Sequence, residues 1–89
     1  MKTIWKFPVS MTDSIGIEMP VGARVLTVQV QHGQPYIWVE VDPEAQKEHR
    51  SFRLFGTGHP IEEGFVLDYV GTFQMHDGGL VFHLYEELP

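Results

Sequence analysis

The stretch that most constrains the fold is residues 24–41, where apolar and polar side chains alternate on both sides of Gly33. A type II′ turn prefers glycine first, so we place Gly33-Gln34 at the tip of a hairpin. One face then pairs only apolar residues: Val30 with Ile37, Val28 with Val39, and Leu26 with Val41. A slip of one residue would mix the two faces, so the pattern predicts an antiparallel hairpin with one buried face.

A second hairpin is predicted over residues 65–86. Asp77-Gly78 is the strongest turn signal in the chain. With it at the tip, the predicted pairs are Met75 with Leu80, Phe73 with Phe82, Gly71 with Leu84, Gln74 with Val81, Thr72 with His83, and Val70 with Tyr85. A glycine in mid-strand indicates a bend or a close approach, and Gly71 is therefore expected to mark one.

Three further strands are predicted, at Thr3–Val9, Ser14–Met19 and from Ser51 onward. Pro8 favours an edge position for the first, because proline cannot donate to a ladder. In the last, Phe52 and Leu54 are expected in the core. Residues 42–50 are polar without an apolar stripe, which predicts an exposed loop or one helical turn. The whole pattern predicts a single all-β domain over residues 1–89, a small antiparallel sandwich or curled barrel of six or seven short strands.

Composition narrows the function classes. The absence of cysteine excludes disulfides, thiolate zinc sites and a cysteine nucleophile. The formal charge of −6 disfavours direct binding to nucleic acid and suits a basic partner. Residues 1–8 lack the apolar region of a signal peptide, and no stretch approaches a membrane span, so we expect a cytoplasmic protein. A chain of 89 residues has a thin core, which favours a homo-oligomer.

One loop is a candidate ligand site. Gly56-Thr57-Gly58-His59 follows a strand and precedes Pro60, without the lysine or the helix of a phosphate-binding P-loop. It has two interpretations. One is a turn whose glycines take positive φ. The other is a loop whose backbone N–H groups bind a nucleotide-like ligand, with Arg53 supplying charge-assisted hydrogen bonds. The candidate ligand-binding residues are Arg53, Gly56, Thr57, Gly58 and His59.

Two aromatic residues, Tyr36 and Trp38, fall on the polar face of the first hairpin. A second sheet or a dimer contact would cover them. Left uncovered, they would form an aromatic patch among Gln29, Gln31 and Glu40, as in a protein interface. Tyr36 and Trp38 are therefore the candidate interface residues.

Neither metal binding nor catalysis is predicted. The five histidines (His32, His49, His59, His76 and His83) have no metal-ligand spacing. No serine lies in a nucleophile elbow, and the adjacent pairs Glu62-Glu63 and Glu86-Glu87 would point to opposite faces of a strand. We expect no catalytic residue, no metal and no cofactor.

Four segments carry a resemblance to a known family: Lys2–Pro8 (KTIWKFP), Met19–Val25 (MPxGAxV), Gly56–Ile61 (GTGHPI) and Tyr69–Gln74 (YxGTFQ). The chain resembles a family of short, uncharacterised proteins of bacteriophages and prophages along essentially its whole length. The resemblance implies a small accessory protein in a bacterial cytoplasm and carries no catalytic residue.

The expected function is therefore non-enzymatic binding, with a host defence protein as partner, through an acidic surface and exposed aromatics. The alternative is sequestration of a nucleotide-like molecule by the Gly56–His59 loop and Arg53.

Overall fold

The computed structural model describes all 89 residues and contains seven β-strands and no helix. The strands are β1 Thr3–Pro8, β2 Ser14–Pro20, β3 Arg24–Gln31, β4 Gln34–Val41, β5 Lys47–Gly56, β6 Val66–Met75 and β7 Leu80–Leu88. A three-stranded sheet has the order β1-β4-β3 and a four-stranded sheet the order β2-β5-β7-β6, all antiparallel. The two sheets pack as a sandwich and do not close into a barrel, which confirms the predicted class. Strand β1 lies at an edge, as Pro8 predicted.

The core lies between the two sheets. Its largest fully buried side chains come from both layers, Ile37 from β4 and Met19, Phe52 and Leu84 from the four-stranded sheet. Phe52 and Leu54 face this core as predicted. Because side chains alternate along a strand, the neighbours of these residues project outward from the sandwich. Each sheet therefore has an outer face, and those two faces carry most of the polar residues considered below.

The first hairpin corrects the predicted register by two residues. His32 and Gly33 both have positive φ (52° and 76°), so His32-Gly33 forms the tip in place of Gly33-Gln34. Positive φ at both central residues is what a type I′ turn requires. Val28 consequently pairs with Ile37. A shift of two residues keeps the side chains from Thr27 to Trp38 on their predicted faces, because the strand period is two.

A β-bulge near the start of β3 also overturns the predicted pairing of Leu26 with Val41. The register shifts between Val25 and Thr27, which leaves Leu26 without a partner and 40 % exposed. Val25 lies opposite Val39 in its place. The alternating pattern could not reveal this, because Val25 and Leu26 are equally apolar.

The last hairpin confirms the predicted pairs from Met75–Leu80 to Gly71–Leu84. The predicted pair of Val70 with Tyr85 is wrong, because a bulge at Val70 brings Tyr69 opposite Tyr85. Gly71 marks the expected close approach: a Cβ built there would lie 2.7 Å from Cγ1 of Val28 on the facing sheet. The two sheets come together at this glycine.

Strand β5 begins earlier than expected, at Lys47, so the prediction of a loop through Arg50 is wrong. Residues 47–50 pair with β2 although they are polar. Arg50 points inward and meets Glu86, with Nη2 donating to Oε1 at 2.9 Å and Nε donating to Oε2. Arg50 Nη1 also donates to the carbonyl of Ala23 at 2.8 Å. At the start of β5 the inward-facing position is therefore occupied by an ion pair and not by an apolar side chain.

Candidate functional site

Arg53 lies on the outer face of β5, opposite Tyr85. Its Nε donates to Oε1 of Glu87 at 2.8 Å, and its guanidinium carbon lies 4.2 Å from the centre of the Phe65 ring. The arginine is thus held by a carboxylate on one side and an aromatic ring on the other. A ligand phosphate would have to displace or share Glu87 to use this charge.

The loop after β5 uses two of its backbone N–H groups internally. Thr57 N donates to the carbonyl of Val81 at 3.2 Å, and His59 N donates to the carbonyl of Gly56 at 3.0 Å. Gly58 has φ 86°, which favours glycine. The imidazole of His59 lies against Gly56, where a Cβ would come within 2.9 Å of the ring. Gly58 therefore has a clear structural reason to be glycine, whereas a side chain at Gly56 would only require the exposed His59 ring to move.

Arg53 and His59 line the same groove, whereas Thr57 does not. The groove measures about 260 Å³. Its lining consists of Asp13, Arg53, Leu54, Phe55, His59, Pro60, Glu62 and Phe65. The hydroxyl of Thr57 instead lies 2.8 Å from Nε2 of His83. Asp13 and Glu62 form no salt bridge, so with Arg53 paired to Glu87 the groove is acidic.

The second predicted site, Tyr36 and Trp38, lies on the outer face of the three-stranded sheet. Both side chains are half-buried, and their rings meet edge to face with centroids 5.9 Å apart. The buried residues of the same strand, Ile37 and Val39, point the other way into the sandwich. Coverage of the aromatic pair by the second sheet is therefore ruled out, and the pair forms a surface patch.

One cation contacts this aromatic pair, and two more lie beside the neighbouring Glu40. Lys6 lies opposite Trp38 in the register, its Nζ 4.4 Å from the Tyr36 ring centre and 2.7 Å from Oε1 of Gln31. Arg24 lies opposite Glu40, whose carboxylate is 3.7 Å from Nζ of Lys2. We call the outer face of the three-stranded sheet the Tyr36–Trp38 face.

The charge of the chain is unevenly divided. The Tyr36–Trp38 face holds three of the six Lys and Arg residues (Lys2, Lys6 and Arg24) and one of the twelve acidic residues (Glu40). Three positive charges and one negative charge give this face a charge of +2. Because the whole chain has a net charge of −6, the rest of the molecule carries −8. The aromatic pair and the acidic surface, which we expected to act together, are different parts of the molecule.

A third feature was not predicted as a site. On the outer face of the four-stranded sheet, Thr72 Oγ1 lies 2.9 Å from Nδ1 of His83 and 2.6 Å from the hydroxyl of Tyr69. With Thr57 at Nε2, both ring nitrogens of His83 are hydrogen-bonded. Tyr85 packs edge to face on Tyr69 beside them. The sequence did predict that Thr72 lies opposite His83, which could have indicated this cluster. The position of Tyr69 could not be predicted, because it depends on the bulge at Val70.

The structure contains no group of three or more His, Asp or Glu side chains placed to hold a metal ion. It also has no helix long and apolar enough to cross a membrane.

Comparison with known proteins adds one finding. The family described as the domain of unknown function DUF7352 matches residues 1–89. The chain belongs to the DUF7352 family. No curated protein and no solved structure shows a significant match. The description of the family names no activity, so it assigns no role to Arg53, the Gly56–His59 loop or the aromatic pair.

Proposed function

We propose that this DUF7352 protein is a non-enzymatic binding protein that docks a partner protein on its Tyr36–Trp38 face. The observation that carries the proposal is the uncovered Tyr36–Trp38 pair at the centre of a positively charged face on an acidic chain. Tyrosine and tryptophan are enriched among the residues that dominate protein–protein binding energy. A pair of this kind, ringed by polar side chains, has the composition of an interface centre and its rim.

The charge of the face defines the partner further. Lys6 and Arg24 favour a carboxylate-bearing surface, because complementary charge speeds encounter and suppresses wrong partners. The −8 on the rest of the chain would repel such a surface everywhere else and so orient it. We therefore propose an acidic patch on the partner in place of the basic partner suggested by net charge.

The biological setting is also part of the proposal. We propose a bacteriophage or prophage protein that acts in the bacterial cytoplasm on a host protein, such as a defence protein. The four sequence segments described above support that origin. A homo-oligomer is compatible with this function, provided the Tyr36–Trp38 face stays free.

The nucleotide-binding alternative rests on one specific observation, the shared groove of Arg53 and His59. It is less well supported, because Glu87 already neutralises Arg53 and two loop N–H groups are internally bonded. Replacement of Arg53 by alanine tests it: a nucleotide site would lose affinity for its ligand while the fold is kept. Unchanged affinity would exclude Arg53 from the site.

Affinity capture from bacterial lysate, followed by reconstitution with the purified partner, tests the main proposal. The wild type and a Tyr69→Ala control should retain the same protein, because Tyr69 lies on the opposite sheet. A Tyr36→Ala/Trp38→Ala variant should lose it. Equal binding by the double variant and the wild type would contradict the proposal.

A further inference from the structure

We infer a second, separate binding site at the end of the sandwich, for a small molecule with an apolar body and a positively charged amine. This end has two adjoining cavities that share Asp13, Leu54 and His59 in their walls. One is the acidic groove of about 260 Å³ described above, and the other measures about 320 Å³. The inference does not depend on the Tyr36–Trp38 face, which lies on the other sheet.

The larger cavity is lined chiefly by apolar side chains. Leu54, Met75 and Phe82 line it together with Met11 and Leu80, which are 42 % and 46 % exposed. Exposed apolar side chains that share one concave opening are a feature of ligand-binding grooves. Two of the five, Met11 at the rim and Met75, are methionines, whose flexible thioethers adapt to different shapes. Its volume is at the lower end of the range for small-molecule sites.

The adjoining groove determines the charge of the ligand. Asp13 and Glu62 line it and form no salt bridge, whereas the charge of Arg53 is taken up by Glu87. A carboxylate or phosphate entering the groove would meet two unpaired carboxylates and one arginine whose charge is already shared with Glu87. A protonated amine would meet two available acceptors, and Asp13 stands where both cavities meet.

His59 lies at the junction of the two compartments, as Asp13 and Leu54 do. Its ring rests on Gly56 and lines both cavities, so one end of a ligand can lie on each side of it. The apolar part of the ligand then occupies the larger cavity beside Leu54, and the amine reaches Asp13. The same arrangement disfavours a nucleotide, whose phosphates would be placed against Asp13 and Glu62.

Three probes with one shared ring test this assignment: 2-phenylethylamine, 2-phenylethanol and phenylacetate. We would titrate each into ¹⁵N-labelled full-length protein and follow backbone amide shifts. The amine should bind most tightly, with a dissociation constant on the order of 1 mM for so small a ligand. Shifts should concentrate at residues 11–13, 54–59, 75–76 and 80–82. Phenylacetate binding as tightly as the amine, or no amine shifts at these residues, would overturn the inference.

Variants separate the two compartments. Asp13→Asn and, separately, Glu62→Gln should weaken the amine by roughly two- to fivefold, as expected for exposed ion pairs, and leave the alcohol unchanged. Leu80→Ser should weaken both. Glu63→Gln removes a neighbouring exposed carboxylate that does not line the groove, so it is the matched control and should change neither. If Glu63→Gln weakened amine binding as much as Asp13→Asn, the loss would come from the lower net negative charge of the protein and not from a lost contact. That result would contradict the assigned site.

Discussion

The ammonium of Lys6 lies 4.4 Å from the centre of the Tyr36 ring, above an aromatic that packs edge to face on Trp38. The two residues come from neighbouring strands, β1 and β4, so the contact is fixed by strand pairing. It places a positive charge at the centre of the one aromatic surface on the three-stranded sheet. Both the aromatic area and the charge of the proposed interface depend on this arrangement.

Reversing that charge should weaken partner binding. Lys6→Glu keeps a long side chain but replaces attraction to an acidic partner by repulsion, and we expect affinity to fall about tenfold or more, largely through slower association. Surface plasmon resonance over a range of salt concentrations measures both rates. Wild-type affinity should fall as salt rises, because salt screens exposed charges. Lys47→Glu, on the other sheet, is the control and should bind like the wild type. Similar losses in both variants would argue against a specific cationic face.

Truncating the aromatic pair should separate binding from folding. Trp38→Ala should abolish partner binding yet lower the free energy of unfolding by less than about 2 kcal/mol, because Trp38 lies outside the core. Phe52→Ala, at a residue 1 % exposed, should cost about 4 kcal/mol. Urea unfolding measures both. A Trp38→Ala protein that unfolds as readily as Phe52→Ala would make Trp38 a structural residue.

The ion pair of Arg50 with Glu86 should show the asymmetry of buried charges. Arg50→Met leaves Glu86, which is 8 % exposed, without its partner, and should destabilise the fold by about 3 kcal/mol. The double variant Arg50→Met/Glu86→Leu should recover most of this loss, because no uncompensated charge remains. Chemical unfolding of the wild type, the two single variants Arg50→Met and Glu86→Leu, and the double variant gives the coupling. A double variant as unstable as the two single losses added together would contradict this account.

Arg50 makes a constant contribution near neutral pH. Hydrogen bonding to Glu86 raises the pKa of Arg50 above the ordinary value of an arginine, although burial acts in the opposite direction. A raised pKa stabilises the fold at every pH below the ordinary value, and this stabilisation is lost only as the pH rises through the raised one. Titration of Arg50 should therefore cause no change in stability between pH 6 and 9.

The contact between Gly71 and Val28 should make Gly71→Ala destabilising. The added methyl group would lie 2.7 Å from Cγ1 of Val28, which is itself buried, so we expect a loss of about 1–3 kcal/mol. Gly16→Ala is the control. A Cβ there meets only the end of the His49 ring, which is 61 % exposed and free to turn away. Equal thermal stability of the two alanine variants would show that the sheets do not meet at Gly71.

The sequence predicted features that follow from strand period and turn chemistry. The alternation around Gly33 assigned Tyr36 and Trp38 to the correct face although the predicted tip was one residue too late. That error shifts the strand pairing by two residues, and a shift of two preserves the faces. The Asp77-Gly78 turn gave the register of Gly71 and Thr72 directly. Neither result required knowledge of how the sheets pack.

The features that could not be predicted depend on contacts between distant strands. The inward orientation of Arg50 is stabilised by Glu86, 36 positions later, and residues 47–50 at the start of β5 therefore show no apolar pattern. The bulge at Val70 places Tyr69, instead of Val70, opposite Tyr85. Tyrosine and valine both suit a strand, so the sequence did not show which of the two would pair there. Likewise, the pairing of Arg53 with Glu87 requires the neighbouring strand β7. The prediction from sequence therefore treated Arg53 as an unpaired charge, whereas its charge is shared with Glu87.

The most direct test of the central claim is site-specific photo-crosslinking in expressing bacteria. A photoreactive amino acid would replace Gln29, which lies opposite Tyr36 on the proposed face, or Gln74, which is exposed on the outer face of the other sheet. We expect the Gln29 position to crosslink to one bacterial protein and the Gln74 position not to crosslink to it. The claim would be contradicted if Gln29 gave no protein crosslink, captured only a second copy of the chain, or matched the products of Gln74.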